Sequence, residues 1–188
     1  MRQFAALLLL ALLAACASPN PELFTLAAEP GPTVPLAAHS VEVRRVGLAG
    51  YLDRPEIVRS AAGFRLTLAQ GQRWGEPLGT MLERVFAEDL VERLPGTAVF
   101  TESGAISTNP DLVLEVDVQR FDTEADGTLV LLAQIAVRRG DASRPAEART
   151  LRLTARPATE STHDQVAAMS RALAELADRV VGMLAAAT

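Results

Sequence analysis

The chain has 188 residues, of which 49% are hydrophobic and 22% charged, and its formal net charge is −5 at pH 7. This length favours a single domain with its own hydrophobic core, and the negative charge argues against a nucleic-acid partner. The single cysteine excludes an intramolecular disulfide, and the low aromatic content of 4% means that the core must consist mostly of Leu, Val and Ala.

The first fifteen residues have the parts of a secretory signal peptide. Arg2 supplies a positive charge, an apolar run extends from Phe4 to Leu13, and small residues precede Cys16. The run is too short to span a bilayer, which needs about 20 apolar residues. The tetrapeptide that spans the predicted cleavage site is similar to a lipobox, Leu13-Ala14-Ala15-Cys16. We therefore expect residues 1–15 to be removed and Cys16 to be acylated.

An ordinary secretory signal is the alternative interpretation of this N-terminus. It would leave Cys16 as a lone thiol in an oxidising compartment, which is a liability. The residue after the cysteine is Ala17 rather than aspartate, which resembles the outer-membrane sorting signal of enterobacteria, with the inner membrane as the less favoured address. Residues 16–22 are predicted to form a proline-containing tether, and residues 23–188 to form one periplasmic domain.

Six segments alternate apolar and polar residues, or have the composition of strands, and are predicted to be strands. A brief strand over residues 23–26 is expected to dock first on the domain, and residues 41–46 and 64–68 follow it. Residues 112–118, 129–137 and 149–156 come in succession with short polar connections. Such a succession is typical of an antiparallel meander.

Two helices are predicted, from Pro77 to Leu94 and from His163 to Ala186. Proline suits the first position of the first helix, and Thr162 with Gln165 fits a capping box at the start of the second. Two i,i+4 ion pairs on the first helix are each expected to contribute a few tenths of a kcal/mol, Arg84 with Glu88 and Asp89 with Arg93. The order of elements predicts an α/β sandwich with one mixed, largely antiparallel sheet and two helices packed on one face.

No pattern of catalytic or metal-binding residues stands out in the sequence. His39 and His163 are the only histidines, and neither has a carboxylate partner at a diagnostic spacing. Glu115 and Asp117 share one face of a strand, where a solvated face balanced by arginines across the sheet is the simpler interpretation. We predict that the protein is not an enzyme, and that it binds no metal and no cofactor beyond the covalent lipid on Cys16.

Two segments are less generic than the rest of the chain. They read Tyr51-Leu52-Asp53-Arg54-Pro55-Glu56-Ile57-Val58 and Arg73-Trp74-Gly75-Glu76-Pro77-Leu78. Each combines an aromatic residue, an arginine, a carboxylate and a proline, which is the composition of a rigid polar loop. Such a loop either faces a protein partner or fastens onto its own strands, and composition leaves both readings open.

With the lipobox, these segments strongly resemble the ABC-type transport auxiliary lipoprotein component family, the PqiC-like lipoproteins. In that family a Tyr-Leu-Asp-Arg-Pro segment is followed by an Arg-Trp pair just before the first helix, and this sequence has both. Gly75 stands where alanine is more usual in the family. The resemblance extends from Leu23 to the final helix.

The resemblance implies a partner protein rather than a substrate pocket. Members accompany transport systems that contain MCE-domain proteins and an ABC transporter and that move lipid between the inner and outer membranes. It implies an outer-membrane lipoprotein, on the periplasmic face, that docks these partners and forms a ring of copies. The candidate partner-binding residues are Tyr51, Leu52, Asp53, Arg54, Pro55, Arg73, Trp74, Glu76 and Pro77.

Two other functions share the anchor and the small domain. One is an accessory lipoprotein of an outer-membrane assembly or envelope-integrity complex. The other is a lipid-binding chaperone, which requires an apolar cavity. A hydrolase is the weakest alternative, because no nucleophile is paired with a base in the sequence.

Overall fold

A computed structural model describes residues 20–106, 108–141, 143 and 145–188 of the chain. The predicted signal peptide, the lipobox cysteine Cys16 and most of the predicted tether lie outside these residues. Within the described residues the chain forms nine strands and two helices.

The strands are β1 (Glu22–Phe24), β2 (Ser40–Val43), β3 (Gly47–Leu48), β4 (Glu56–Ala61), β5 (Arg65–Trp74), β6 (Ala98–Thr101), β7 (Leu112–Thr123), β8 (Leu129–Arg139) and β9 (Glu147–Ala155). The helices are α1 (Leu78–Arg93) and α2 (Thr162–Ala187). All nine strands join one mixed sheet, and the two helices contact each other and the sheet. The predicted fold class, a mixed sheet with two helices on one face, is confirmed.

The long strand β7 is the central strand of the sheet and pairs with other strands along both of its edges. One of its edges pairs antiparallel with β8, which in turn pairs with β9, as the predicted meander requires. Its other edge pairs in parallel with β2, β3 and β4 in succession. Beyond them, β6 pairs with β2 and β5 with β4, while β1 pairs in parallel with the last residues of β5.

This topology gives the domain two distinct ends. β4 and β7 run in the same direction, so the β4–β5 connection and the β7–β8 turn lie at one end, together with the start of α2. We call this the hairpin end, and it comprises residues 62–64, 124–128 and 156–161. At the opposite end, Arg139 of β8 donates a hydrogen bond to the carbonyl of Ala187 at the end of α2.

Alternation along the central strands explains how the core forms. On β7 and β8 alternate side chains point toward the helices. Burial of this apolar face stabilises the strands and sets their register. The buried apolar positions of this face are Leu112, Leu114, Val116, Val118 and, after a shift of register in β7, Phe121, with Leu129, Leu131, Ala133, Ile135 and Val137 on β8. From α2 they meet apolar side chains at steps of three and four residues, Val166, Met169, Leu173, Leu176, Val180 and Leu184.

Both helix starts differ by one residue from their predicted positions. Pro77 is the N-cap of α1 rather than its first helical residue. The N-cap of α2 is Ser161, whose hydroxyl accepts a hydrogen bond from the Asp164 N–H at 3.1 Å, so the capping box predicted for Thr162 and Gln165 is wrong. Those two side chains are buried and bind Arg59 of β4 instead, because a tertiary contact outweighs the local cap.

The sheet also contains strands that the sequence pattern did not reveal. β3 and β6 were not predicted, since strands of two and four residues are too short to show alternation. The two segments treated as loops are partly strand, because Glu56 begins β4 and Trp74 ends β5. Hydrogen bonding to neighbouring strands extends β4 and β5 into these two segments, beyond the apolar residues that indicate a strand in the sequence.

Arg93 is a buried cation that joins the two helices. Only 1% of it is exposed, and its Nε donates to Oδ1 of Asp178 on α2 at 2.6 Å. Its Nη1 donates to Oδ1 of Asp89 at 3.3 Å and to the carbonyl of Glu29 at 3.0 Å, and its Nη2 donates to the carbonyl of Ala174 at 3.2 Å. We call this group of contacts the Arg93 clamp. The Asp89–Arg93 pair, from which its i,i+4 spacing predicts only a few tenths of a kcal/mol, is therefore part of the interior.

The clamp also fixes the chain between β1 and β2 across the helices. Leu26 is buried there, and its N–H lies 3.2 Å from the sulfur of Met81. The Ala27 N–H donates to the Ser170 hydroxyl at 3.2 Å. Gly31 packs so closely on the guanidinium that a Cβ would lie 2.3 Å from the Arg93 Cζ. The segment that follows the tether is thus held firmly in the domain.

We expect the substitution Arg93→Met to lower the free energy of unfolding by about 3–5 kcal/mol, because it leaves the buried Asp89 carboxyl without its cation. Chemical denaturation followed by circular dichroism measures this change. The exposed pair between Arg179 and Glu175 provides the control, since Arg179→Met is expected to cost less than about 0.5 kcal/mol. Equal, small losses for both variants would contradict a structural role for the clamp.

The clamp also predicts a pH dependence of stability. Burial raises the pKa of the Asp89 carboxyl to about 6 from 3.8, against the Glu29 N–H and Arg93, which lower it. Between these two pH values the carboxyl is protonated in the folded state and ionised in the unfolded state. Its contribution to the free energy of unfolding therefore decreases as the pH rises. Relative to Asp89→Asn, the wild type should lose about 1–3 kcal/mol of unfolding free energy between pH values of about 4 and 6.

Denaturation of the wild type and Asp89→Asn at a series of pH values measures this difference. Asparagine keeps an acceptor for the Glu29 N–H, which donates to Oδ1 of Asp89 at 3.0 Å, so the variant removes the titration with little change of shape. A difference that does not vary with pH would show that Asp89 stays ionised beside Arg93.

Candidate partner-binding surface

The two segments singled out in the sequence lie side by side. β4 and β5 are antiparallel, so the start of β4 meets the end of β5, with Glu56 opposite Arg73. The Trp74 N–H donates to the Pro55 carbonyl at 2.8 Å, and Nη2 of Arg73 lies 3.7 Å from Oε1 of Glu56. Residues distant in sequence thereby form one continuous region of the domain.

Tyr51 fastens this region to the centre of the sheet. Its hydroxyl donates to Oδ1 of Asp122 at 2.7 Å, and Asp122 is fully buried on β7. Asp122 also accepts hydrogen bonds from Ser60 and Arg120. Burial, followed by the hydrogen bond to this carboxylate, raises the pKa of the Tyr51 phenol, so the hydroxyl remains a donor at neutral pH. No sequence pattern indicated this hydrogen bond, because the two residues are 71 positions apart.

Three further candidate side chains make contacts within the domain. Leu52 and Trp74 are only 2% and 6% exposed and belong to the hydrophobic core. Glu76 accepts a hydrogen bond from Nη2 of Arg84 at 2.7 Å. For Leu52 and Trp74 the structure fits the alternative in which the segments fasten onto their own strands.

The remaining candidates present exposed side chains. Asp53, Arg54 and Pro55 form a short exposed loop, and Arg73 and Pro77 are exposed beside it. We call residues 53–55 the docking loop. Buried Leu52 precedes it and the Trp74 N–H holds its last carbonyl, so the backbone is fixed at both ends. A loop ordered in advance loses little conformational entropy when it binds a partner.

The other residues considered in the sequence do not form a reactive cluster. Oε1 of Glu115 lies 3.6 Å from Nε of Arg138, as expected for a solvated face, and both His39 and His163 are exposed. Among the described residues, no group of three His, Cys, Asp or Glu side chains could hold a metal ion. None of the helices in the described ranges is both long and apolar enough to cross a membrane.

We expect stability measurements to separate the buried from the exposed members of this region. Trp74→Ala should lower the unfolding free energy by about 3–5 kcal/mol because it empties a core position. Tyr51→Phe should cost about 1–3 kcal/mol, since buried Asp122 loses a donor. Arg54→Ala should stay within about 0.5 kcal/mol of the wild type. Chemical denaturation tests all three, and a large loss for Arg54→Ala would assign the docking loop a structural role.

Comparison with known proteins identifies the family. A family model described as the ABC-type transport auxiliary lipoprotein component matches residues 24–181. Among curated proteins, none matches the sequence significantly.

Two solved structures share the fold. An uncharacterized protein has a TM-score of 0.75 and 17% identity, with 88% of this chain and 99% of the other covered. The protein XCC0632 from Xanthomonas campestris has a TM-score of 0.66 and 20% identity, with coverages of 85% and 92%. The family model spans most of the sequence, and the chain therefore belongs to the ABC-type transport auxiliary lipoprotein component family.

Proposed function

We propose that this protein is an outer-membrane lipoprotein that docks an MCE-domain protein of an ABC-type lipid transport system at its periplasmic face. The strongest support is the family match over residues 24–181, because an auxiliary component acts through the transporter it serves. Acylation of Cys16 would hold the domain at the membrane, and two or more acyl chains give a stable anchor.

The docking loop supplies a suitable contact surface for a protein partner. Arg54 is exposed on a rigid base and stands next to Asp53 and Pro55, with Arg73 alongside. Arginine is enriched at the energetically important positions of protein interfaces, where its planar group forms several hydrogen bonds at once. The buried members of the region, Leu52 and Trp74, support the loop from beneath rather than contacting the partner.

A lipid-binding chaperone receives less support from the structure. A cavity of about 660 Å³ opens at the hairpin end of the domain. Its lining includes Arg59, Glu124, Asp126 and Arg156, which are charged groups that an acyl chain would have to desolvate. A carrier of acyl chains would instead need a mainly apolar cavity.

The first experiment is a detergent pull-down of the tagged, acylated protein from its native envelope, with mass spectrometry of the captured proteins. We expect an MCE-domain protein and its ABC transporter among them. Arg54→Glu should reduce their recovery by more than about tenfold, as loss of a central interface residue does. Arg179→Glu, on the exposed face of α2, is the matched control and should leave recovery unchanged.

Capture of a β-barrel assembly complex instead would contradict the lipid-transport assignment and favour an assembly accessory. Capture of the transporter with equal efficiency by both variants would keep the assignment and exclude the docking loop as the contact. The mass of the acylated protein in detergent, measured by light scattering, tests the ring of copies that the family resemblance implies.

A further inference from the structure

The β4–β5 hairpin carries an apolar surface that the described chain does not cover. Phe64, in the connection between the strands, is fully exposed, and Leu66 and Leu68 on β5 are 46% and 38% exposed. Leu66 and Leu68 occupy alternate positions of β5 and so share one face, and Phe64 lies in the connection directly before that strand. We call these three residues the hairpin stripe.

Local structure does not account for a phenylalanine at this position. The φ angle of Phe64 is +61°, and that of Gly63 before it is +74°. A left-handed backbone is strained for a residue with a side chain and natural for glycine. Phe64 therefore has a strained backbone, and burial of its ring within the described domain does not offset that strain. This combination indicates that the ring contacts something outside the described domain.

The direction of β1 shows from which side the N-terminal chain approaches. β1 is parallel to β5, and Glu22 lies opposite Gln72. Following β5 backwards from Gln72 leads to Phe64, and following β1 backwards from Glu22 leads toward Cys16. The chain thus enters β1 from the side of the hairpin end, and the predicted acylation site Cys16 precedes β1 by six positions in the sequence.

The lengths of the two segments bring the hairpin to the membrane. Glu22 lies six positions after Cys16, and six residue steps span at most about 20 Å when fully extended. Gln72 lies eight positions after Phe64, which corresponds to about 27 Å along a strand. Because the tether is shorter than the hairpin, a bilayer that holds Cys16 lies within reach of the hairpin tip.

We propose that the hairpin stripe inserts into the interface of the same lipid surface that holds the acylated Cys16. The inference rests on the acylation that is part of the proposed function. Arg65 is exposed next to Phe64, and this combination suits the interface, where an apolar ring enters the acyl boundary and a cation lies among phosphates.

Acidic groups near the hairpin stripe do not oppose this contact strongly. In the β7–β8 turn, Glu124 is paired with Arg120 at 2.9 Å and with Arg152 at 3.3 Å. Asp126 in the same turn accepts hydrogen bonds from the N–H and hydroxyl of Thr128. Both carboxylates of the turn therefore have cations beside them, Arg120 and Arg152 near Glu124 and Arg156 near Asp126, which weakens their repulsion of an approaching headgroup layer.

Insertion at the hairpin stripe would orient the whole domain. β4 begins just after the docking loop and ends at the hairpin, so the two surfaces lie at opposite ends of one strand. A hairpin in the membrane turns the docking loop away from the bilayer, toward the periplasmic space. Two contacts, the acyl chains and the hairpin stripe, restrict rotation of the domain in a way that a single flexible anchor does not.

The test uses the acylated protein in vesicles of phosphatidylethanolamine and phosphatidylglycerol that contain lipids brominated near the headgroup end of their acyl chains. Phe64→Trp places a fluorophore in the hairpin stripe, and the wild type, with only buried Trp74, gives the background. Val91→Trp is the matched control, because Val91 is also exposed but lies near the end of α1, away from the hairpin end.

We expect the tryptophan at the hairpin to show blue-shifted emission that the brominated lipid quenches, and the Val91→Trp emission to remain unquenched. Unquenched emission from Phe64→Trp on vesicle-bound protein overturns the proposal, and a blue shift without quenching would assign the stripe to a protein contact. Flotation of the vesicles reports the acyl anchor separately, and the pull-down reports the proposed function. Failure of the hairpin proposal is therefore distinguishable from failure of either.

Discussion

The buried guanidinium of Arg93 is the interaction on which the arrangement of this domain depends. A cation without solvent contact is tolerated only when carboxylates and carbonyls surround it, and here they come from α1, from α2 and from the segment after β1. Each of these three parts therefore needs the other two. The clamp thereby also holds the segment that connects β1 to β2 against both helices.

Much of the fold could be predicted from the sequence, and the failures have physical causes. Strands β7, β8 and β9 and both helices follow from hydrophobic periodicity over nine or more residues. β3 and β6 are too short to show a period, and they exist because β7 and β2 offer them an edge. The Asp89–Arg93 pair looked like a surface ion pair, because spacing along a helix does not reveal which face a distant segment will cover.

The candidate surface was predicted as two loops with a partner-like composition. The structure brings the loops together but buries Trp74 and Leu52, since an aromatic residue required by the core and one required by a partner look the same in a sequence. The exposed docking loop was among the predicted residues. The hairpin stripe was not recognised, because alternation through Phe64, Leu66 and Leu68 indicates a half-buried strand unless the hairpin is known to extend beyond the sheet.

In the account proposed here, two surfaces at opposite ends of β4 meet different partners, with lipid at the hairpin end and a protein of the transport system at the docking loop. Site-specific photocrosslinking in living cells tests this most directly, with the photoreactive residue placed at position 54 or at position 64. The account predicts a crosslinked protein adduct containing an MCE-domain protein at position 54 and crosslinks to lipid at position 64. Protein adducts at position 64 together with none at position 54 would contradict it.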